Sequence, residues 1–312
     1  MIGIIAFVST ILSSYVLIGS IATAIIIGIL INQFISVPDY CNPGIKFSEK
    51  ILLSVAIILL GSTLNMNIEG IINPEILALL IILIFTSILI SLILGKIFNL
   101  SFSLSLLLGV GNGICGSSAI AGASSVIEAD ENDIGISIAI INILGAIGIF
   151  FVPFIINSFF SGNQQEQGII IGSTIQAVGQ VTAAGFIMGD EVGEMATFIK
   201  MIRILMLVPV LIILTLFYSS NNKKVNKKSI FSIPPFIIGF VILLILTNYG
   251  WIPVNLLPIL KLLSKYCLLF AMVSVGLNVS LKSIINKGYK AILVSSTTFV
   301  FQIFLVIYIL SF

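Results

Sequence analysis

The residues able to do chemistry in this 312-residue chain are few, and most lie inside apolar segments. The densest group is Leu108-Gly109-Val110-Gly111-Asn112-Gly113-Ile114-Cys115-Gly116-Ser117-Ser118-Ala119-Ile120-Ala121-Gly122, which carries five glycines. Each glycine disfavours a helix by roughly 1 kcal/mol relative to alanine, so the run predicts a break. Inside a bilayer, broken backbone survives only where protein or a water-filled cavity satisfies the freed groups. Transporters place such breaks near the midplane, with half-helix N-termini toward anions and free carbonyls toward cations. Asn112, Cys115, Ser117 and Ser118 would add polar side chains there. Small-residue helix packing is the alternative for the same glycines.

A second segment, Gly172 to Gly185, repeats the theme with Gln176, Gln180 and Thr182. Gln176, Gly179, Gln180 and Ala183 follow helical spacing, which predicts one polar face that lines a site or bonds to a neighbouring helix. Lys200 and Arg203 stand three residues apart and would share a face. Cations within a span either serve a function or snorkel to the interface, here with Glu194 as the partner. The expected substrate-binding set is therefore Asn112, Cys115, Ser117, Ser118, Gln176, Gln180, Thr182, Lys200 and Arg203. Glu128, Asp130, Glu131 and Asp133 read as a loop that caps a helix. No catalytic or metal set and no cofactor are expected. The chain has no histidine, and Cys41, Cys115 and Cys267 form no metal-spaced motif.

The elements that must position these residues are apolar helices. Hydrophobic residues make up 59% of the chain and charged residues 8%, with a mean hydropathy of +1.26. A soluble domain carries about 25% charged residues, so this chain belongs in a membrane. Alternating short segments of the barrel type are missing. The uncharged runs predict an all-α, polytopic bundle of about 9–11 segments, read as one transmembrane domain over residues 1–312. Residues 2–35 should divide into two short helices. Further segments are expected near 48–66, 75–95, 104–127, 134–157, 167–188, 195–218, 231–249, 258–279 and 289–311. Segments 104–127 and 167–188 could span or re-enter. The net charge of +2 argues against a nucleic-acid partner.

Lysine placement gives an expected orientation. Lys223, Lys224, Lys227 and Lys228 mark a cytoplasmic loop, and Lys46, Lys50, Lys96, Lys282, Lys287 and Lys290 count to the same side. The loop with Glu69 and Glu75 counts to the other. The N-terminus is then cytoplasmic and the C-terminus outside, with Lys261 and Lys265 dissenting. Two internal similarities suggest repeats. At an offset of 63, Gly109, Gly116, Ala121-Gly122, Glu128 and Glu131 align with Gly172, Gly179, Ala184-Gly185, Glu191 and Glu194. Leu64 to Ile68 resembles Leu277 to Leu281, on helices expected to run oppositely, as inverted repeats require.

Assembled, these segments resemble the YeiH-type family, bacterial multi-pass proteins associated with sulfate export. Ile114 to Ala121 matches that family's ICG(A/S)SA motif, and Val178 to Gly185 resembles its VAQVVAAG. Lys200 through Pro209 resembles its KxxRxxxLxP, and Phe270-Ala271-Met272 to Gly276-Leu277 a late MAMxxLGL stretch. The resemblance implies inverted repeats and interrupted helices, as in the cation/proton-antiporter and bile-acid-symporter group. This chain departs from the pattern at Gln176-Ala177, where the family usually has His and an acid, and at Thr63, where it usually has Arg.

The expectation is a secondary transporter in the cell membrane that exports a small sulfate- or sulfonate-like anion by alternating access. With no ATP-binding motif, energy would come from an ion gradient, H+ or Na+, or from the solute's own gradient, and a homodimer is one assembly open to it. A cation/proton antiporter is the alternative, though every acid sits near a segment end. An intramembrane enzyme using Cys115 or a serine would lack a histidine base.

Overall fold

The structure, a computed structural model, describes residues 1–13, 20–34, 38–62, 74–160, 162–218, 235–278 and 288–311. Thr63, Glu69, the 64–68 half of the second similarity, the lysines of 223–228, and Lys282 and Lys287 lie outside the described residues. Among the described residues every regular element is helical.

The chain opens with α1 (Ile2–Ser13) and α2 (Ser20–Phe34), the two short helices expected. Next come α3 (Asn42–Phe47), a π turn at Ser48–Leu52 and α4 (Leu53–Leu60). The central block comprises α5 (Pro74–Ile97), α6 (Phe102–Gly113), α7 (Ser117–Ile127), α8 (Glu131–Phe159), α9 (Gln164–Thr174), α10 (Val178–Met188), α11 (Asp190–Leu205) and α12 (Leu207–Tyr218). The chain ends with α13 (Pro235–Asn248), α14 (Leu257–Asn278) and α15 (Tyr289–Leu310). Among the described residues five stretches are long and apolar enough to cross a bilayer: Pro74–Ile97, Glu131–Phe159, Asp190–Phe217, Val254–Asn278 and Tyr289–Leu310. The half-length helices α6, α7, α9 and α10 are 11 or 12 residues each, too short to cross alone.

These half-helices form two helical hairpins, which resolves the choice between spanning and re-entering. In the first, Ser101 at the start of α6 donates to the Asp133 carboxylate at the start of α8, 2.7 Å away. At the far end of the hairpin, Ser117 donates to Asn142, midway along α8. Thus α6 descends beside α8, and α7 returns to the face it came from. In the second, Gly168 packs on Val192 and Met195, and Gly172 on Ala196 and Ile199, while Gly185 on the returning arm meets Gly193 and Ala196. Both arms therefore flank α11, with their bases at its start.

The two hairpins enter from opposite faces. The continuous helix α11–α12 shows this, because the second hairpin packs on its first half and Gly122 of the first hairpin meets Leu211 in its second half. This is the inverted arrangement expected of a repeat. The structural correspondence is not the 63-residue offset, however: Ser117 and Val178 begin equivalent half-helices 61 residues apart. Around this block pack α2, α4 and α14. Gly28 and Gly276 allow α2 and α14 to touch backbone to backbone, and Ser264 donates to the Ala56 carbonyl on α4.

Candidate functional site

The tips of the two hairpins meet halfway along α11–α12. Helix α6 ends at Gly113, and its last carbonyls need donors that the helix cannot supply. Ile114 N–H takes Val110 and Gly116 N–H takes Gly111. Arg203 takes the next two, its Nε donating to Gly113 O at 2.7 Å and its Nη2 to Asn112 O. Lys200 Nζ donates to Ile114 O at 2.7 Å. Helix α9 ends the same way, for Ile175 O accepts from Lys200 at 2.8 Å and from Arg203 Nη1 at 3.1 Å. The two cations thus sit at the negative C-terminal ends of two half-helices, where the helix dipole favours them. Both are fully buried, so neither snorkels. Glu194 instead pairs with Lys261 on α14, at 3.6 Å.

A second tie crosses the tips through neutral groups. Gln176 Nε2 donates to Asn112 Oδ1 at 2.9 Å, and Asn112 Nδ2 donates to Ser295 Oγ on α15 at 2.7 Å. Both amide side chains are fully buried, and Gln176 Oε1 has no hydrogen-bond partner among the described residues. Gln176 lies in the turn before α10, not on its polar face, which corrects the helical spacing expected for it. The i, i+3 reading failed because Ile175 and Ala177 are extended, so the chain has no helical period there.

The other arms begin where these end. Helices α7 and α10 start at Ser117 and Val178, and their positive N-terminal ends open on a cavity of about 1230 Å³. Cys115, Ser117, Ser118 and Gln180 line it, as does Asn142, which the sequence reading did not single out. Asn142 joins the hairpins, because its Oδ1 accepts from Ser117 and its main-chain carbonyl accepts from Gln180 Nε2 at 3.0 Å. An isolated Asn in a long apolar helix was the only signal for it. Glu49, Lys50 and Asn278 stand in another part of the wall, where Asn278 donates to the Glu49 carboxylate.

The nine expected residues therefore separate into three groups. Cys115, Ser117, Ser118 and Gln180 face the cavity, while Asn112, Gln176, Lys200 and Arg203 lock the tips behind it. Thr182 does neither: it is buried, with its hydroxyl returned to Val178 O. Among the described residues no cluster of His, Cys, Asp and Glu could hold a metal ion. Asp133 accepts from Ser101, and Glu131 and Asp133 lie in the first turn of α8, where the helix dipole favours acids, but Asp130 at the N-cap makes no side-chain capping hydrogen bond.

The family model described as Conserved hypothetical protein 698 matches residues 1–295. A UPF0324 membrane protein of Staphylococcus epidermidis is 35% identical over 300 residues, covering 94% of this chain and 89% of its own length. Another, from Agrobacterium fabrum, is 33% identical over 282 residues, covering 90% and 81%. One from Staphylococcus aureus is 35% identical over 278 residues, covering 88% and 83%. No solved structure matches.

Proposed function

The chain belongs to the Conserved hypothetical protein 698 family of membrane proteins, and from that premise we propose that it is a secondary active transporter of a sulfate- or sulfonate-type anion. The single observation that carries this reading is the polarity of the crossed tips. Each hairpin turns its carbonyl end to a built-in cation and its amide end to the cavity. The carbonyl ends are thereby neutralised without a solute, and the amide ends remain for one that is negative.

In this reading the anion rests against the first turns of α7 and α10, where the hydroxyls of Ser117 and Ser118 and the amide of Gln180 face it. Lys200 and Arg203 act at one remove, making the region around the tips electropositive. Cys115 lines the cavity, and the nearby Lys200 commits its ammonium to the Ile114 and Ile175 carbonyls, so we read the protein as a carrier, not an enzyme. Transport is outward and coupled to H+ or Na+, and the protein functions in the cell membrane as a homodimer. The face bearing Lys46, Lys50, Lys96 and Lys290 is cytoplasmic, with the N-terminus on that side and the C-terminus outside.

One observation favours the runner-up, a cation/proton antiporter: Glu49 is a carboxylate in the cavity wall. Proteoliposome flux separates the two. Labelled sulfonate or sulfate should move in response to an ion gradient and stop in Gln180→Leu protein that still folds. Proton-coupled cation flux with no anion flux, abolished by Glu49→Gln, would replace the first reading by the second.

A further inference from the structure

The cavity is far larger than a bare oxyanion needs, and its walls are the wrong kind for one. Ligand pockets that bury drug-sized molecules measure roughly 300–1,000 Å³, and this one reaches about 1230 Å³. Its polar groups gather at the hairpin tips and around Glu49, Lys50, Ser54 and Asn278. Away from them the wall is aliphatic and aromatic, with Leu53 and Ile57 on α4 and Ile147, Phe150, Phe151 and Phe154 on α8. From Asn142 at the tips to Phe154, α8 advances twelve residues, or about 18 Å, which is the length of an extended alkyl chain.

The charge balance points the same way. Lys200 and Arg203 are sealed behind the tips and spend their donors on main-chain carbonyls. At the tips the cavity therefore offers hydroxyls, amides and helix dipoles, while the lining cation Lys50 stands with Glu49 in another part of the wall. That set suits a single diffuse charge better than a compact dianion, whose desolvation would go uncompensated.

Resting on the anion-transport reading above, we propose that the solute is an amphiphilic monoanion, with a sulfonate- or carboxylate-type head at Ser117 and Gln180 and an aliphatic tail along the Phe150–Phe154 strip. Phe154 is 63% exposed, so the strip continues onto the outer surface of α8, and a tail can follow it there.

Calorimetric titration of the full chain in zwitterionic lipid nanodiscs tests this, with empty discs as the blank. Linear alkanesulfonates from ethane- to octanesulfonate should bind about fourfold more tightly per added methylene, and inorganic sulfate should bind weakly or not at all. Phe151→Ala with Phe154→Ala should at least halve that chain-length slope while leaving ethanesulfonate binding unchanged. Both side chains are partly exposed, so the variant should fold. Discs containing phosphatidylglycerol distinguish the supplier of the amphiphile. Unchanged affinity marks a free solute and lost sites mark a seated lipid; either upholds the amphiphilic site. Sulfate binding as tightly as octanesulfonate, or a slope that survives the double variant, overturns the proposal and leaves anion transport standing. Binding of no anion at all overturns both.

Discussion

The two hairpins reach the same midplane by different local means. The first turns at Gly116, whose φ of +69° and ψ of −128° are open only to glycine at reasonable cost. The second turns through Ile175, Gln176 and Ala177, and Ala177 has an ordinary extended φ of −88°. There the side chain of Gln180 does the work, its Oε1 accepting from Ala177 N–H at 3.1 Å as half of a capping box. One tip is thus set by a backbone permission, and the other by a side chain that also faces the cavity. The lesson is that repeats conserve the geometry of a break more readily than the residue that makes it.

Substitutions can break that comparison in order of severity. Arg203→Met strikes both tips at once, orphaning Asn112 O and Gly113 O in a dry interior. It should cost about 3 kcal/mol or more, seen as a large fall in thermal unfolding temperature and in yield from the membrane. Gly116→Ala strikes only the first tip. Forcing alanine into that conformation should cost about 2 kcal/mol, and its Cβ would sit 3.4 Å from the Ile141 side chain. Gln180→Leu strikes only the second tip, losing the cap and the bond to Asn142, for about 1–2 kcal/mol. Unlike Gly116→Ala, it should also weaken anion binding in the calorimeter. Ala177→Gly, at the position that needs no special backbone, should cost under about 1 kcal/mol. If melting curves put Ala177→Gly level with Gly116→Ala, the contrast between the tips is mistaken.

Much of this was legible in the sequence. The glycine run placed the first break within a residue or two, because positive φ and close packing both demand glycine and both concentrate it. The second break carries no glycine of its own. Gly172, Gly179 and Gly185 instead admit neighbouring helices, as Gly172 does at Ala196 O. Aligning them with Gly109, Gly116 and Gly122 therefore matched packing glycines at Gly109/Gly172 and Gly122/Gly185, but paired the turn glycine Gly116 with Gly179, which packs on Leu53 and Val275. Whether a polar-speckled segment such as 104–127 or 167–188 spans or re-enters depends on which neighbours its two ends meet, and hydropathy does not contain that. The depth of the cations stayed open between a buried role and snorkelling for a simpler reason. A span starting at 195 leaves Lys200 near an end, whereas the helical stretch runs from Asp190, capped by Gly189 at φ +147°, to Phe217 and buries Arg203 at its centre.

The ties from Lys200 and Arg203 have a mechanical consequence. Pulling one tip away from the other would strand two charges and several carbonyls in hydrocarbon, a penalty no ordinary conformational equilibrium covers. The hairpins and α11 therefore behave as one stiff piece, like two leaves riveted to a common spine. Any movement that turns the cavity from one side of the bilayer to the other must carry that piece whole. On the transport reading, a slip plane would lie where that piece meets the outer helices, as where Gly179 faces the side chains of Leu53 and Val275.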